Sequence, residues 1–158
     1  MKFCDMVYAR PDIENILKRL SALKDKIEGA ADAATQIEAY NEADSLIENY
    51  STLGSLAYVR HTINTKDEFY DKENDFFDEN GPVISDAIHS INKVLLKSPF
   101  INELKAHYGE LLFLNTEISL RCFSSEIIEL AKEENKLQSD YQKLYASATV
   151  LWDGETIP

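Results

Sequence analysis

The chain has 158 residues, of which 44% are hydrophobic and 28% are charged, and its formal net charge at pH 7 is −12. This length and composition are typical of one globular domain with its own hydrophobic core, and five Gly and four Pro leave little room for a multi-stranded sheet. The negative charge argues against binding to nucleic acid or to an anionic membrane surface, because both need clustered Lys and Arg.

The sequence also bears on cellular location and redox chemistry. No apolar run reaches transmembrane length, and the N-terminus lacks the basic-then-apolar pattern of a signal peptide, so we expect a cytoplasmic protein. Cys4 and Cys122 lie far apart and form no CxxC pair, which indicates neither a zinc site nor a disulfide framework. Cys122, beside Phe123, is expected to be a small buried hydrophobe.

The first two helices are predicted from caps and apolar spacing. After an extended segment over residues 1–10, Asp12 begins a helix that Gly29 ends. Its apolar stripe is Ile13, Ile16, Leu17, Leu20, Leu23 and Ile27. Asp32 caps a second helix that we extend to about Asn64. The inner face of this second helix is Tyr40, Ala43, Ile47, Tyr50, Gly54, Ala57 and His61.

Gly54 has a specific implication for packing. A glycine in a helix interior costs about 1 kcal/mol relative to alanine. We therefore expect another helix to approach closely at Gly54 and Ala57, with a simple chain break over residues 51–55 as the alternative.

The stretch from residue 60 to 82 is predicted to join two helical runs. Thr65 and Glu68 have the spacing of a capping box, which predicts a third helix over residues 66–79. Gly81 and Pro82 predict a break, with Pro82 in the first turn of a fourth helix. The stripe of that fourth helix is Ile84, Ala87, Ile88, Ile91 and Leu95.

The remaining helices are shorter. Ser98 and Pro99 open a short helix that Gly109 closes, and the nearly continuous apolar run over residues 111–120 is expected to be the most buried segment. Ser124 caps the last helix. One side of it is lined by Ile127, Leu130, Ala131, Leu137, Tyr141, Leu144, Tyr145 and Ala148, with Glu134 interrupting the stripe.

The tail has a different pattern. Residues 149–152 have strand propensity, and Asp153-Gly154 is a hairpin turn signal. Only residues 155–158 remain for the returning strand, so we expect an unfinished β-hairpin, as in a chain cut from a longer protein. The predicted fold class is all-α, an antiparallel multi-helix bundle. The predicted division is a helical domain over 1–148 and a truncated strand and turn over 149–158.

The histidines of the chain lie in no complete metal-binding motif. His61, His89 and His107 are not followed by Glu, so the zinc motif HExxH is absent from the sequence. Asp86 and His89 stand three apart and could share a metal, but a di-iron bundle needs a second Glu-x-x-His motif, which the sequence lacks. GxSxG and Gly-rich phosphate loops are also absent.

Two further candidates come from the joining stretch. The acidic run over residues 71–81 suggests a calcium loop, but the sixth position, where an EF-hand requires Gly, is Phe76. Arg60 and His61 end a helix, where His61 would be a structural cation. The open alternative is that this pair faces a peptide-binding channel. We therefore predict no catalytic, cofactor-binding or metal-binding residue in the chain.

Several phrases in a fixed order carry a resemblance to a known family. They are MKFCDMVYAR with PDIE, then RHTINTKDEFYDKENDFFDENGP from Arg60 to Pro82, then SPF followed by HYG. Over essentially its whole length the chain resembles the amino-terminal region of the oligoendopeptidase F-like zinc metallopeptidases, which are relatives of thimet oligopeptidase.

The resemblance implies a division of labour. The parent protein would hydrolyse short peptides, and this helical domain would form one wall of its substrate channel. Zinc and HExxH would belong to a missing C-terminal catalytic domain, so we expect no cofactor and no peptidase activity in this chain alone. A homodimer of the fragment, through the last helix or the tail, is expected from apolar surface left uncovered. The alternative function is a free-standing acidic helical protein-interaction module.

Overall fold

The computed structural model describes residues 3–157 as helices followed by a small hairpin. The α-helices of that range are α1 Ile13–Glu28, α2 Ala33–Ile63, α3 Glu68–Leu96, α4 Ile101–Tyr108, α5 Glu110–Cys122 and α6 Ile128–Ala146. Strands β1 Val150–Trp152 and β2 Glu155–Ile157 follow, and short 3-10 turns occupy Phe3–Asp5 and Ser125–Ile127. The predicted all-α class with a terminal hairpin is confirmed. No helix within residues 3–157 combines the length and apolarity needed to span a membrane.

The hydrophobic core is built by α1 to α5. Its buried members are Ile16, Leu20, Leu23, Ile27, Ala39, Ala43, Leu46, Tyr50, Ile84, Ile91, Leu95, Leu104 and Phe113. These residues come from the periodic stripes of α1, α2 and α3 and from single positions on α4 and α5. Helix α6 contributes none of these core residues, although it packs along α3.

The first two helices form as predicted. The Asp12 carboxylate accepts from the backbone of Asn15 at 3.0 Å, and Asp32 caps α2 in the same way. Helix α2 is continuous, so the alternative break over residues 51–55 does not occur. A Cβ atom on Gly54 would lie 3.2 Å from the ring of Phe77 in α3, which confirms the expected close approach of another helix.

The predicted start of α3 is wrong, because the helix begins at Glu68 and not at Lys66. Asp67, not Thr65, is the N-cap, because the Asp67 carboxylate accepts from the backbone of Phe69 at 3.0 Å and of Tyr70 at 3.3 Å. The Asn64 side chain accepts a hydrogen bond from the backbone N–H of Lys66, so the residues before Asp67 form a turn. Asp67 thus replaces Thr65 as the cap, because its carboxylate lies closer to the first free backbone N–H groups of the helix.

The predicted break at Gly81 and Pro82 is also wrong, because α3 runs through both residues to Leu96. Proline removes one backbone donor, which leaves the carbonyl four residues earlier without its helical partner. That carbonyl belongs to Asp78, and the side-chain amide of Asn135 in α6 donates to it at 3.1 Å. A donor from another helix therefore replaces the one that Pro82 lacks.

Helices α4 and α5 differ from expectation in their burial. Gly109 separates them with φ of +86°, as a helix-ending glycine should, while Ser98 accepts from the backbone of Phe100 just before α4. The run over residues 111–120 is not the most buried segment. Only Phe113 and Thr116 are buried in α5, because the core reaches one side of this helix. The exposed side carries Leu111, Leu114 and Ile118.

The end of the chain closes into a complete hairpin. Asp153 and Gly154 both have positive φ, +50° and +83°, which confirms the predicted turn. Val150 pairs with Ile157 at the far end of the ladder, so the expectation of an unfinished hairpin is corrected: three residues suffice for the returning strand. All six strand residues are exposed. Pro158 lies outside the described residues.

Candidate functional site

The N-terminal segment is tied across α2 and α3 by two arginines. Residues 6–12 have no regular secondary structure, and Met1 and Lys2, part of the predicted extended segment, lie outside the described residues. The Arg60 guanidinium donates to the carbonyl of Met6 at 2.7 Å and to the Tyr70 hydroxyl at 2.7 Å. Arg60, one of the two candidates at the end of α2, therefore holds the chain start in place.

Glu73 is the second anchor and is buried. Its carboxylate accepts two hydrogen bonds from Arg10 Nε, at 3.1 and 3.0 Å, one from an Arg10 terminal nitrogen, and one from the Tyr8 hydroxyl. The hydrogen bonds from Arg10 hold the pKa of Glu73 below its usual range. Burial, and then the hydrogen bond to Glu73, raise the pKa of Tyr8. Nothing in the sequence pattern separates Glu73 from the other carboxylates around it.

His61 lies in the last turn of α2, as predicted for a structural cation, but its ring is fully buried. Its Nδ1 is 3.8 Å from the nearest carboxylate oxygen of Asp71, and neither ring nitrogen has a hydrogen-bond partner. Nζ of Lys143 in α6 forms an ion pair with that Asp71 oxygen instead, at 2.7 Å. With no exposed surface, the ring of His61 does not face an open channel of this chain.

His89 and Asp86 are both used within the fold. His89 Nδ1 lies 2.6 Å from the backbone carbonyl of Ser85, and Nε2 lies 3.2 Å from the Ser119 hydroxyl, while the ring stacks on Phe123 at 4.1 Å. Asp86 accepts from the Ser125 hydroxyl. Each ring nitrogen therefore already has a partner, which leaves no lone pair directed at a metal shared with Asp86.

The remaining candidates do not assemble into a centre. His107 is exposed, and Cys4 and Cys122 are free and exposed, so the expected burial of Cys122 is wrong: it lies at the end of α5, outside the core. Residues 71–81 are helical throughout, which is incompatible with a calcium loop. Within residues 3–157 there is no group of three His, Cys, Asp or Glu side chains that could hold a metal ion. The residues present do not fit zinc.

A polar network joins α3 to α6. The Ser139 hydroxyl, the only buried side chain described in α6, donates to the Asp78 carboxylate, and the Asn74 amide donates to the same oxygen at 3.1 Å. Burial raises the pKa of Asp78. Lys143 adds an ion pair to Asp75 at 3.3 Å. Sequence reasoning missed this network, although Asn135 and Ser139 share the side of α6 opposite its apolar stripe.

The other side of α6 is apolar and exposed. Its large members are between 64% and 76% exposed: Leu130, Leu137, Tyr141, Leu144 and Tyr145. We call this set the α6 stripe. On another part of the surface, an open groove of about 700 Å³ lies beside α5, and its apolar lining includes Leu96, Leu111 and Leu114. Apolar surface of this kind is typical of regions that another body or a ligand covers.

Solved structures share the fold of this chain. A structure assigned to oligoendopeptidase F matches 99% of the chain at 41% identity with a TM-score of 0.96. Pz peptidase A with an inhibitor matches 99% at 38% identity and 0.96, and a structure assigned to oligoendopeptidase F of Bacillus anthracis strain Ames matches 99% at 36% identity and 0.94. No curated protein matches the chain.

These similarities define the chain as a mainly helical domain of a kind found in peptidases. The chain belongs to the Peptidase M3 N-terminal domain family, whose model matches residues 3–123. The predicted resemblance to the amino-terminal region of oligoendopeptidase F-like enzymes is thereby confirmed. The chain spans only 28–29% of the length of the peptidase structures that it matches.

Proposed function

We propose that this chain is the helical N-terminal part of an oligoendopeptidase F-like zinc metallopeptidase that hydrolyses short peptides. In this proposal it forms one wall of the substrate channel, and zinc and the HExxH motif belong to another part of the parent. The observation that carries the proposal is the match of 99% of the chain, at a TM-score of 0.96, to just over a quarter of a peptidase structure.

The state of the candidate side chains supports this division. The sequence contains no HExxH, His61 is buried without a metal-binding neighbour set, and both ring nitrogens of His89 have partners. Hydrolysis of an amide by a metallopeptidase requires zinc ligands and a glutamate that activates water. Those groups must be supplied by a different segment of the polypeptide.

A wall of a channel needs a firm backbone and a shaped surface. Three long helices, α1 to α3, give the chain its own core, and Arg60 and Glu73 fasten the chain start to them. The groove beside α5 offers apolar surface next to the carboxylates Glu110 and Glu117, and the α6 stripe offers apolar surface elsewhere on the domain. This surface can contact a peptide or the rest of the enzyme without performing chemistry.

A peptidase assay of two proteins tests the proposal. The first is this chain alone, with added zinc, and the second is a chimera in which the chain replaces the matching segment of the oligoendopeptidase F relative that is 41% identical to it. Quenched fluorescent peptides of five to about fifteen residues report cleavage. We expect no cleavage by the chain and chelator-sensitive cleavage by the chimera.

The controls separate the alternatives. The intact relative sets the reference rate, and chelator treatment of the chimera removes cleavage that depends on a metal. Cleavage by the chain alone, with or without chelator, would contradict the proposal. A chimera that folds but does not cleave peptides would favour the free-standing interaction module instead.

A further inference from the structure

In α6, unlike in the other long helices, the polar side faces the domain and the apolar side faces outward. In α1 the buried residues are all apolar, whereas the only buried residue described in α6 is Ser139. The α6 stripe, which the same reasoning would place in a core, faces away from the domain. An amphipathic helix is stabilised mainly by burial of its apolar face, so α6 lacks its main source of stability within this chain.

Three polar side chains of α6 bond to α3. Ser139 bonds to Asp78, Asn135 donates to a backbone carbonyl of α3, and Lys143 pairs with Asp71. Contacts between domains of one polypeptide are more polar than the core of a domain. The interface between α6 and α3 therefore resembles a contact between two structural units.

The family model places a boundary at the same point. It matches residues 3–123, and Phe123 is the residue that follows α5. The likeness to solved peptidases nevertheless covers 99% of the chain, so α6 and the hairpin keep their placement in those structures. Residues 124–157 are thus outside the family domain but have the same position against it in the relatives.

We propose that residues 124–157 are the first elements of the parent's next structural unit, and that the peptidase part of the same polypeptide covers the α6 stripe. This inference rests on the proposed function. It places the boundary between the two units after residue 123, whereas the sequence predicted a boundary after residue 148. The α3–α6 network then fixes how the N-terminal domain is oriented against the peptidase part.

Glu134 specifies the chemistry of the covering surface. It interrupts the apolar stripe and is exposed, and the one contact found for it in the described residues is the Gln138 amide at 3.5 Å. A carboxylate that becomes covered by apolar surface needs a cation or hydrogen-bond donors. The covering surface is therefore apolar, with a cation or hydrogen-bond donors opposite Glu134.

Native-state hydrogen exchange on the full 158-residue chain tests the boundary directly. We expect the amides of α6 to exchange through an opening at least a hundredfold more populated than the opening that exposes α1 and α3. This difference follows because the one buried side chain described in α6 is Ser139, whereas the buried side chains of α1 are all large and apolar. Equal protection of α6 and α1 would overturn the inference.

Matched substitutions test which surface covers the α6 stripe. Leu137→Lys places a charge on the stripe, and Ala146→Lys places the same charge on the opposite side of α6; both positions are exposed. In the isolated chain both variants should melt within 1–2 degrees of the wild type. In the chimera with the peptidase relative, Leu137→Lys should lower the melting temperature by at least 5 degrees and Ala146→Lys should not.

Three results would overturn the inference. Equal effects of the two variants in the chimera would show that the stripe remains uncovered. A Leu137→Lys chimera with normal stability but a raised KM would place the stripe in the substrate channel. A concentrated chain that is dimeric by light scattering and monomeric after Leu137→Lys would make a second copy the occupant. If the unmodified chimera is folded but inactive, the proposed function fails, and hydrogen exchange in the chain still decides the boundary.

Discussion

Replacing Arg10 with alanine is expected to destabilise the protein more than replacing its partner Glu73 with glutamine. The two side chains are unequally buried, since 51% of the Arg10 side chain is exposed but only 4% of the Glu73 side chain. After Arg10→Ala a buried carboxylate loses its charged partner. After Glu73→Gln the guanidinium can turn toward water, and the new amide oxygen can still accept from the Tyr8 hydroxyl.

The magnitudes follow from this asymmetry. Removing one partner of a buried ion pair costs about 3–5 kcal/mol when the other charge stays buried. Because Arg10 is half exposed, water can approach once it is gone, and we expect a loss of about 3 kcal/mol for Arg10→Ala. The difference between a charge-assisted and a neutral hydrogen bond is about 1 kcal/mol, which sets the expected loss for Glu73→Gln.

The pH dependence gives a second test with a definite sign. Hydrogen bonds from Arg10 lower the folded-state pKa of Glu73, so the pair's contribution is complete above the unfolded value of about 4.3 and is lost as pH falls through the lowered pKa. Without Arg10, burial, which raises the pKa of Glu73, is opposed only by the hydrogen bond from Tyr8, and we expect the folded-state pKa to lie above the unfolded value. The deficit of Arg10→Ala relative to wild type should therefore shrink as pH falls from 7 to 5.

Urea unfolding followed by far-ultraviolet circular dichroism measures both effects. Wild type, the two single variants and the double variant are compared at pH 7 and at pH 5. The double variant should resemble Glu73→Gln, because the buried charge is then absent. The reasoning is refuted if Glu73→Gln costs as much as Arg10→Ala at pH 7, or if the deficit of Arg10→Ala is the same at both pH values.

Two matched comparisons probe the packing of α3. Asn135→Ala should cost about 1 kcal/mol in the wild type and close to nothing in a Pro82→Ala background, where α3 regains its own backbone donor. A double-mutant cycle by urea denaturation measures this coupling, and equal costs in the two backgrounds would show that the Asn135 amide does not serve the free carbonyl. Gly81→Ala should stabilise by about 1 kcal/mol, because its Cβ meets no atom within 4 Å, whereas Gly54→Ala should gain nothing, because its Cβ lies 3.2 Å from a ring of α3. Melting temperatures compare the two glycine variants, and a larger gain at Gly54 would contradict the packing argument.

Local signals were enough to predict most of the helices. Asp12 and Asp32 cap α1 and α2 as their sequence context indicates, and the stripe of α1 is buried where its spacing predicts. The close approach at Gly54 also followed from the sequence, because a helix-interior glycine needs a packing reason. These features depend on residues within one or two turns of each other, so a single sequence contains the information.

Other features depend on a distant residue, and there the local patterns failed. Pro82 breaks a helix under the local rule, but Asn135, 53 positions later in the chain, supplies the donor that keeps α3 intact. The anchor at Glu73 could not be predicted for the same reason, since its partners Tyr8 and Arg10 come from the chain start. A pattern of charges in sequence does not specify which carboxylate becomes buried. The resemblance of ordered phrases, in contrast, did predict the family.

The apolar period of α6 separates two questions that sequence patterns combine. The spacing of Leu130, Leu137, Tyr141 and Leu144 correctly predicts that they share one face of a helix. It does not predict which body covers that face, because burial depends on the whole assembly. In the chain alone that face is exposed, and Ser139 makes the buried contact on the other side. The stability of α6 should therefore depend on the peptidase part of the parent, whereas the stability of α1 should be the same in the chain and in the parent.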